Sequence, residues 1–382
     1  MKKAVSVAFV CILCALFVGT FCAGYSRDMR NVFLGYGGGI KGLILTATDR
    51  DTQDERLNED MILKYNWIDL FGAALRVTGV NSLREDDGKH IVRLKDDRLA
   101  FVRSLRSPSA QQTAWMRSMY ETAQAAGSSC LYVSIPQKTC PDQTQYCARG
   151  AANRSEITDA VYTEAFGTAG FRVLDLHARM HADGMGHTQL YYKTDHHWTG
   201  NTALWAAGVL AQEIGVSAET IRPELFQTQT YPNAFLGSEG KHVCRLYCGT
   251  DIFSVPIPQF DTHLTLTFDA DQPERTGSFA ETILFAEYLT AGPFQSSMYG
   301  AFLGGDRGWV RIHNDLMPQG KRVLLVKDSF SNSMAPYLAL TCGQIDMIDL
   351  RHYSESGIQL VRQGGYDAVI VATTYLSAEV TE

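Results

Sequence analysis

The chain has 382 residues, of which 45% are hydrophobic and 20% charged, so it is long and apolar enough to bury a large core. That composition excludes a disordered or fibrous protein. The net charge is −7, from 34 Lys and Arg against 41 Asp and Glu, and no basic cluster is present. This charge pattern argues against nucleic acid as a partner.

The N-terminus has the pattern of an export signal or a membrane anchor. Lys2 and Lys3 precede an uncharged, largely apolar run over residues 4–24, which is about as long as a bilayer-spanning helix requires. A Cys-Ala-Gly sequence at its end offers a small-residue cleavage site. We interpret residues 1–24 as a signal peptide or, slightly favoured, an uncleaved transmembrane anchor. Residues 25–382 are then extracytoplasmic, either secreted or anchored to the cell membrane.

Six of the nine cysteines lie beyond the apolar run, where an oxidising compartment would allow them to pair. Closeness in sequence makes Cys140 with Cys147 and Cys244 with Cys248 the predicted disulfides. A zinc site at Cys244, Cys248 and His242 is the alternative, but its spacing matches known zinc motifs poorly. The sequence predicts neither a metal site nor a cofactor.

The predicted elements after the apolar run indicate an α/β domain. Residues 25–105 carry no catalytic spacing and are interpreted as an N-terminal elaboration of the domain over residues 106–382. Periodicity and β-branched content predict the following order: helix 111–126, strand 131–136, strand 171–176 and a helix from residue 201.

Residues 218–300 differ in pattern and are interpreted as a β-rich insertion, with an antiparallel strand at 263–268. The chain then returns to α/β alternation with strand 323–326, helix 330–340, strand 345–350, helix 356–362 and strand 368–372. Strands rich in Val and Ile that are separated by helices predict a parallel sheet covered on both faces.

Ser329 is the candidate nucleophile because it directly follows the strand at 323–326. Reactive groups of open parallel sheets gather beyond the carboxyl ends of the strands. N–H groups at the start of the next helix can stabilise an oxyanion there. The alternative is that Ser329 is only a helix N-cap, a position that serine favours.

Asp195 and His197 supply the base and the orienting acid that a serine nucleophile needs. Alternate residues of an extended segment point the same way, so both can serve Ser329 while His196 points elsewhere. His196 and Trp198 are therefore predicted to be scaffold. The alternative is a purely structural loop whose polar groups are simply hydrogen-bonded.

Residues 191–199, Tyr-Tyr-Lys-Thr-Asp-His-His-Trp-Thr, resemble the signature of the DHHW protein family, and residues 325–330 and 348–351 resemble its downstream blocks. That family is similar to the SGNH-like domains of the alginate O-acetyltransferases AlgJ and AlgX. The resemblance covers roughly residues 111–382. It implies a flavodoxin-like, three-layer α/β/α domain with a catalytic triad of Asp195, His197 and Ser329. Their order along the chain is reversed relative to ordinary SGNH esterases.

The chain departs from this pattern where Lys327 replaces the glycine that usually opens the serine block. Gly304, Gly305 and Asn332 are candidates for the oxyanion hole, although the glycines could also serve a turn and Asn332 a helix cap. Arg351 is a candidate for binding an anionic sugar or acyl group, with a surface ion pair as its alternative.

These residues predict an extracytoplasmic serine O-acyltransferase, with acetyl as the expected group, or an acetylesterase. The expected partners are an exopolysaccharide or cell-wall glycan as acceptor, and a membrane acyltransferase that supplies the acyl donor. The triad does not distinguish transfer from hydrolysis. A glycan-binding or polysaccharide-assembly protein that keeps the fold without turnover is the alternative, favoured by Lys327.

Overall fold

The computed structural model describes Gly19 and residues 64–84, 90–94, 96–102, 106–139, 155–268, 272–374 and 376. The chain divides into two compact units, residues 1–74 and residues 75–382. The predicted anchor over residues 4–24 lies outside the described residues except for Gly19. None of the helices in the described ranges combines the length and the apolar character that crossing a bilayer requires.

The strands of the described residues have the following bounds: β1 Ser82–Arg84, β2 His90–Arg93, β3 Leu99–Phe101, β4 Ser129–Ser134, β5 Val173–Asp175, β6 Phe226–Phe235, β7 Asp251–Pro258, β8 Leu264–Phe268, β9 Arg275–Gly277, β10 Trp309–Asn314, β11 Arg322–Lys327, β12 Gln344–Ile348 and β13 Ala368–Thr373.

The α-helices of the same ranges are α1 Lys64–Val77, α2 Ala110–Ala125, α3 Ser155–Thr168, α4 Leu176–Ala182, α5 His187–Leu190, α6 Gly200–Glu213, α7 Ser238–Val243, α8 Arg245–Cys248, α9 Phe279–Ile283, α10 Ala286–Thr290, α11 Ser331–Ala339 and α12 Gly357–Gln363. Short 3₁₀ helices occur at Glu219–Ile221, Pro223–Leu225 and Met298–Ala301.

The main sheet of the described chain has eight strands in the order β5-β4-β13-β11-β12-β10-β8-β9. The first five of these strands run parallel to one another. β10, β8 and β9 continue the sheet as antiparallel strands. β11 therefore lies in the interior of the sheet, between β13 and β12, and this places the residue after its carboxyl end near the middle of one sheet edge.

Helices cover both faces of the sheet, and the side chains of β11 show how. Val323 and Leu325 pack into the core under α6 and α11, whereas Leu324 and Val326 pack into the core under α2, α3 and α12. All four side chains are fully buried. A strand buried on both faces requires a continuous apolar run, which is the pattern that predicted it. The three-layer α/β/α fold is confirmed.

Most predicted elements are confirmed with shifts of one or two residues at their ends. The strand predicted at 263–268 is β8, and it extends the main sheet through β10. β10 itself and the three-stranded sheet β1-β2-β3 were not predicted. The boundaries assigned to the elaboration and to the insertion stay predictions.

Replacing Leu325 by Ala tests the two-faced core. Leu325 is fully buried in the central strand, so the cavity left behind should lower the free energy of unfolding by about 2–5 kcal/mol. Leu316→Ala is the matched control, because that side chain is 58% exposed and its removal should change stability by less than about 0.5 kcal/mol. Urea unfolding of both variants measures the difference, and equal losses in the free energy of unfolding would contradict the placement of Leu325 in the core.

Candidate active site

The segment that carries Asp195 and His197 is a loop closed at its base. Tyr191 and Trp198 pair as an antiparallel bridge. The Tyr192 N–H donates to the His197 carbonyl at 3.2 Å, and the Thr199 N–H donates to the Leu190 carbonyl at 2.8 Å. Thr199 then caps α6 by accepting a hydrogen bond from the Thr202 N–H. The loop is thus fixed between a bridge and a helix start.

Asp251, at the start of β7, holds the loop from the other side. Its carboxylate accepts hydrogen bonds from the Lys193 N–H at 2.7 Å, from the Thr194 N–H at 2.7 Å and from the Thr194 hydroxyl at 2.6 Å. The Thr194 hydroxyl in turn accepts from the Gly237 N–H at 2.9 Å. A Cβ at Gly237 would lie 2.2 Å from the Asp195 Cβ, so only glycine allows this close approach.

Asp195 is buried, and three N–H groups donate to its carboxylate. Its Oδ1 lies 2.5 Å from His197 Nδ1 and 2.9 Å from the His197 backbone N, and its Oδ2 accepts from the Ser238 N–H at 2.6 Å. Burial alone would raise the pKa of Asp195. The neighbouring His197 and His196 and the hydrogen bonds outweigh burial, and they hold the pKa of this carboxyl well below its usual range. Asp195 is therefore ionised at neutral pH.

Ser329 lies in the three-residue connection between β11 and α11, and its Oγ is 2.7 Å from His197 Nε2. Because an ionised Asp195 can only accept, Nδ1 of His197 carries a ring proton, and in the neutral imidazole Nε2 is then the acceptor. In that state the Ser329 hydroxyl donates to His197. The structure brings together the three residues predicted as a triad, with the base between the acid and the hydroxyl.

The N-cap alternative for Ser329 does not hold. Phe330 occupies the N-cap position of α11, and it has no side-chain capping hydrogen bond. Instead Asp328 accepts from the Phe330 N–H at 3.0 Å, and its second oxygen accepts from the Thr374 N–H at 2.7 Å. Burial raises the pKa of Asp328. Asp328 thus fixes the turn to the end of β13 and leaves the serine hydroxyl for His197.

Two aromatic residues join the loop to the start of α11. The Trp198 indole N–H donates to the Phe330 carbonyl at 3.1 Å and to the Ser333 hydroxyl at 3.0 Å, and the Tyr299 hydroxyl donates to the same carbonyl at 3.2 Å. The Tyr299 ring stacks on the His197 ring with centroids 3.9 Å apart and planes within 10°. The scaffold role predicted for Trp198 agrees with these contacts, whereas Tyr299 had no sequence signal.

His196 lies beside His197 and makes its own contacts. Its Nδ1 is 2.8 Å from the Ser238 hydroxyl, and its ring centroid is 3.9 Å from that of His197. It stands 3.8 Å from Asp195 Oδ1, beyond hydrogen-bonding distance. His196 therefore packs against the base and does not enter the chain of hydrogen bonds that ends at Ser329.

The predicted oxyanion residues lie in one turn and on α11. Gly304 and Gly305 have φ angles of 72° and 89°, which favour glycine, and the Gly305 N–H donates to the Phe302 carbonyl at 3.2 Å. The Asn332 side-chain amide donates to Asp306 at 2.8 Å. Within the described part of the chain, the Ser329 N–H has no hydrogen-bond acceptor.

Arg351 and Lys327 form ion pairs with two carboxylates. Arg351 lies 2.6 Å from Asp349 and 3.0 Å from Asp306, and Lys327 lies 3.2 Å from Asp349 and 3.6 Å from Asp306. Burial alone would raise the pKa of both carboxyls, but these cations lower it. Arg351 therefore forms ion pairs, as the alternative interpretation of this residue expects.

Two groups of described residues bring possible metal ligands together: Asp195 with His196 and His197, and Asp306 with Asp349 and His352. In the first group, N–H donors already occupy the carboxylate oxygens. In the second group, Lys327 and Arg351 already neutralise both carboxylates. Neither arrangement offers a cation the free carboxylates that it would need.

The predicted disulfide between Cys244 and Cys248 is wrong. Cys248 is a free thiol, and its Sγ donates to the Cys244 carbonyl at 3.3 Å as part of the helical turn α8. Helical geometry therefore directs the Cys248 sulfur to the backbone of Cys244 and not to its sulfur. Burial raises the pKa of the Cys248 thiol to about 12. The predicted pair Cys140 and Cys147 lies outside the described residues.

Replacing Asp195 by Asn should alter stability in a pH-dependent way. Folding lowers the pKa of Asp195 below its unfolded value of about 3.9. The carboxylate therefore stabilises the native state above that pH, and this stabilisation is lost as the pH falls through the lower folded pKa. We expect the wild type to be more stable than Asp195→Asn at about pH 6, and the difference to shrink towards pH 2. Urea unfolding across this range tests it, and a difference independent of pH would contradict it.

Comparison with known proteins supports this fold. Residues 96–243 match the model of a family described as "SGNH hydrolase-like domain, acetyltransferase AlgX". Comparison with curated proteins gives no match.

Two solved structures are similar in fold. A DHHW family protein from Eubacterium siraeum has a TM-score of 0.58 at 19% identity, over 79% of this chain and 95% of that one. PatB1 from Bacillus cereus, with a sulfonyl adduct, has a TM-score of 0.59 at 16% identity, over 76% of this chain and 95% of that one. The resemblance expected from the Asp-His-His-Trp segment is confirmed, and the chain carries an SGNH hydrolase-like α/β/α domain.

Proposed function

We propose that the protein is an extracytoplasmic serine O-acyltransferase that moves an acetyl group onto a glycan hydroxyl through Ser329. The observation that carries this proposal is the continuous chain of hydrogen bonds from Ser329 through His197 to Asp195, with distances of 2.7 Å and 2.5 Å. A hydroxyl, an imidazole and a buried carboxylate in this order form the arrangement that activates serine for acyl transfer.

In the first step, the Ser329 oxygen attacks the carbonyl carbon of an acyl donor while His197 Nε2 accepts the hydroxyl proton. The bond to the leaving oxygen then breaks, and the imidazolium returns its proton to that oxygen, which leaves an acetyl ester on Ser329. Asp195 stabilises the transient imidazolium. We assign the role of oxyanion donor to the Ser329 N–H, which lies just before α11 and has no hydrogen-bond acceptor in the described part of the chain.

In the second step, His197 removes a proton from an acceptor hydroxyl, whose oxygen attacks the acetyl-serine ester. Collapse of the intermediate releases Ser329, which takes its proton back from His197. A glycan hydroxyl as acceptor gives O-acetylation, and water gives hydrolysis. Both outcomes use the same residues, so the acceptor that binds next to Ser329 decides between them.

The description of the matching family model supports transfer of an acetyl group, because that model is named for the acetyltransferase AlgX. A glycan of the exopolysaccharide or cell wall as acceptor is part of the proposal. We also propose that the protein is membrane-anchored or secreted and that a membrane acyltransferase supplies the acyl donor. The N-terminal apolar run supports the location, and the family resemblance supports the donor.

The non-catalytic alternative, a glycan-binding or assembly protein, depends on Lys327 at the usual glycine position. The Lys327 side chain is 1% exposed, and its ammonium lies against Asp349. Its added bulk is therefore accommodated within an ion pair, while the Ser329 hydroxyl still reaches His197. This geometry weakens the argument that losing the glycine removes activity.

Acylation by an activated acetyl ester tests the proposal. We expect mass spectrometry of the purified full chain to find one acetyl adduct on Ser329, and Ser329→Ala to lack it. Ser331→Ala is the matched control, because Ser331 is buried two residues further on and should leave adduct formation unchanged. If the wild type shows neither an acetyl adduct nor ester cleavage, the proposal that the protein is an enzyme is rejected. Adding oligosaccharides then separates transfer from hydrolysis.

A further inference from the structure

A buried ion pair lies directly beneath the loop that carries Asp195. Lys138 follows β4, and Glu239 is in the first turn of α7. The Lys138 Nζ is 2.7 Å from Glu239 Oε2, and the two side chains are only 5% and 1% exposed. Neither residue has a sequence signal or a place in the proposed chemistry.

The hydrogen bonds of this pair are directed at the backbone of the loop. The Lys138 ammonium donates to the Asp195 carbonyl at 2.9 Å and to the Lys193 carbonyl at 3.0 Å. Together with the bond to Glu239, these use all three N–H donors of the ammonium. The ammonium therefore fixes two carbonyls of the loop, and one of them belongs to Asp195 itself.

The pair also ties the loop to the N-terminal sheet. The second oxygen of Glu239 accepts from the Phe101 N–H at 3.0 Å. The Leu99 N–H donates to the same Lys193 carbonyl that Lys138 contacts, at 3.0 Å. Strand β3 thus reaches the loop both directly and through Glu239, which gives the N-terminal elaboration a contact to the site.

A buried ion pair is weak evidence for added stability, because the cost of removing two charges from water can exceed their attraction. Burial also raises the pKa of Glu239, although Lys138 opposes the shift. Such a pair is better explained by the structure that it specifies. Here the Lys138 ammonium donates to the backbone carbonyl of Asp195, and the carboxylate of Asp195 in turn contacts the ring of His197.

We propose that Lys138 and Glu239 are positioning residues that hold the loop backbone so that Asp195 and His197 align with Ser329. The inference rests on the proposed acyl transfer. A displacement of about 1 Å at such a site is enough to slow a reaction about 100-fold. Lys138 and Glu239 themselves contact neither Ser329 nor the ring of His197 among the hydrogen bonds of the described chain.

The test compares Lys138→Met, the double variant Lys138→Met/Glu239→Leu, and Arg311→Met. Arg311, whose side chain is 39% exposed, makes a bidentate ion pair with the buried Asp346 between β10 and β12, so Arg311→Met is the control for leaving a buried carboxylate without its cation. For each full-length variant, the rate of acetyl-Ser329 formation at saturating activated ester, its KM and the melting temperature are measured.

We expect Lys138→Met to lower the acylation rate about 10- to 100-fold with KM little changed, and to lower the melting temperature. The double variant should regain melting temperature, because it no longer buries an unpaired carboxylate, but its acylation should stay slow. Arg311→Met should lose melting temperature at a wild-type rate. Wild-type acylation in Lys138→Met, or recovery of rate together with stability in the double variant, would overturn the proposal.

A proton NMR measurement separates this inference from the proposed function. The His197 Nδ1 proton, held against Asp195, should resonate downfield of the amide region in the wild type and in Arg311→Met. A shift or loss of this resonance in the folded double variant would support the positioning role of Lys138 and Glu239. That support would stand even if the wild type formed no acetyl adduct, because a missing adduct would reject the proposed acyl transfer and not the positioning role. An unchanged resonance there would overturn positioning.

Discussion

The imidazole of His197 is the interaction on which the site depends, because it joins two segments 132 residues apart in the chain. Its Nε2 can accept the serine proton only if Nδ1 donates, and Nδ1 donates because Asp195 is ionised. Asp195 stays ionised in a buried position because His197 and His196 lie beside it and three N–H groups donate to its carboxylate. The function of the His197 ring therefore depends on the charge of Asp195, and that charge depends on the groups that surround the carboxylate.

The fold meets these requirements with rigid elements on both sides of the ring. Ser329 follows a strand buried on both faces of the sheet, so its position is set by the core. Trp198 and Tyr299 tie the loop to the Phe330 carbonyl, directly beside the serine. Asp251 and Lys138 fix the loop from beneath through its backbone N–H and carbonyl groups. The side chains of the triad are thus positioned largely by residues that take no part in the proposed reaction.

The sequence predicted the parallel sheet and the three residues that meet at its edge, because both leave local signals. Continuous apolar runs identify strands buried on two faces, and a serine directly after such a strand is visible as a pattern. Asp195 and His197 stand two residues apart, so their relation could be inferred from spacing. The structure shows that they meet across a bend in which the His197 backbone N–H donates to the Asp195 carboxylate, and not through simple alternation along a strand.

The supporting residues could not be predicted, because their partners are distant in sequence. Lys138 and Glu239 are 101 residues apart, and Tyr299 stacks on a ring from a different segment. Gly237 and Gly240 flank Ser238 and Glu239 and pack against Asp195 and Thr194 respectively, so this close glycine spacing is a local trace of the contact with the loop. The disulfide prediction for Cys248 failed because closeness in sequence does not reveal a helical turn.

Activation of Ser329 by His197 can be measured by covalent labelling with a small sulfonyl fluoride. The reagent reacts with a serine whose proton is removed by a neighbouring base. We expect one sulfonyl group per chain, located on Ser329 by peptide mapping, and a labelling rate at least about 100-fold slower in His197→Ala. Labelling at another residue, or an equal rate in His197→Ala, would contradict it.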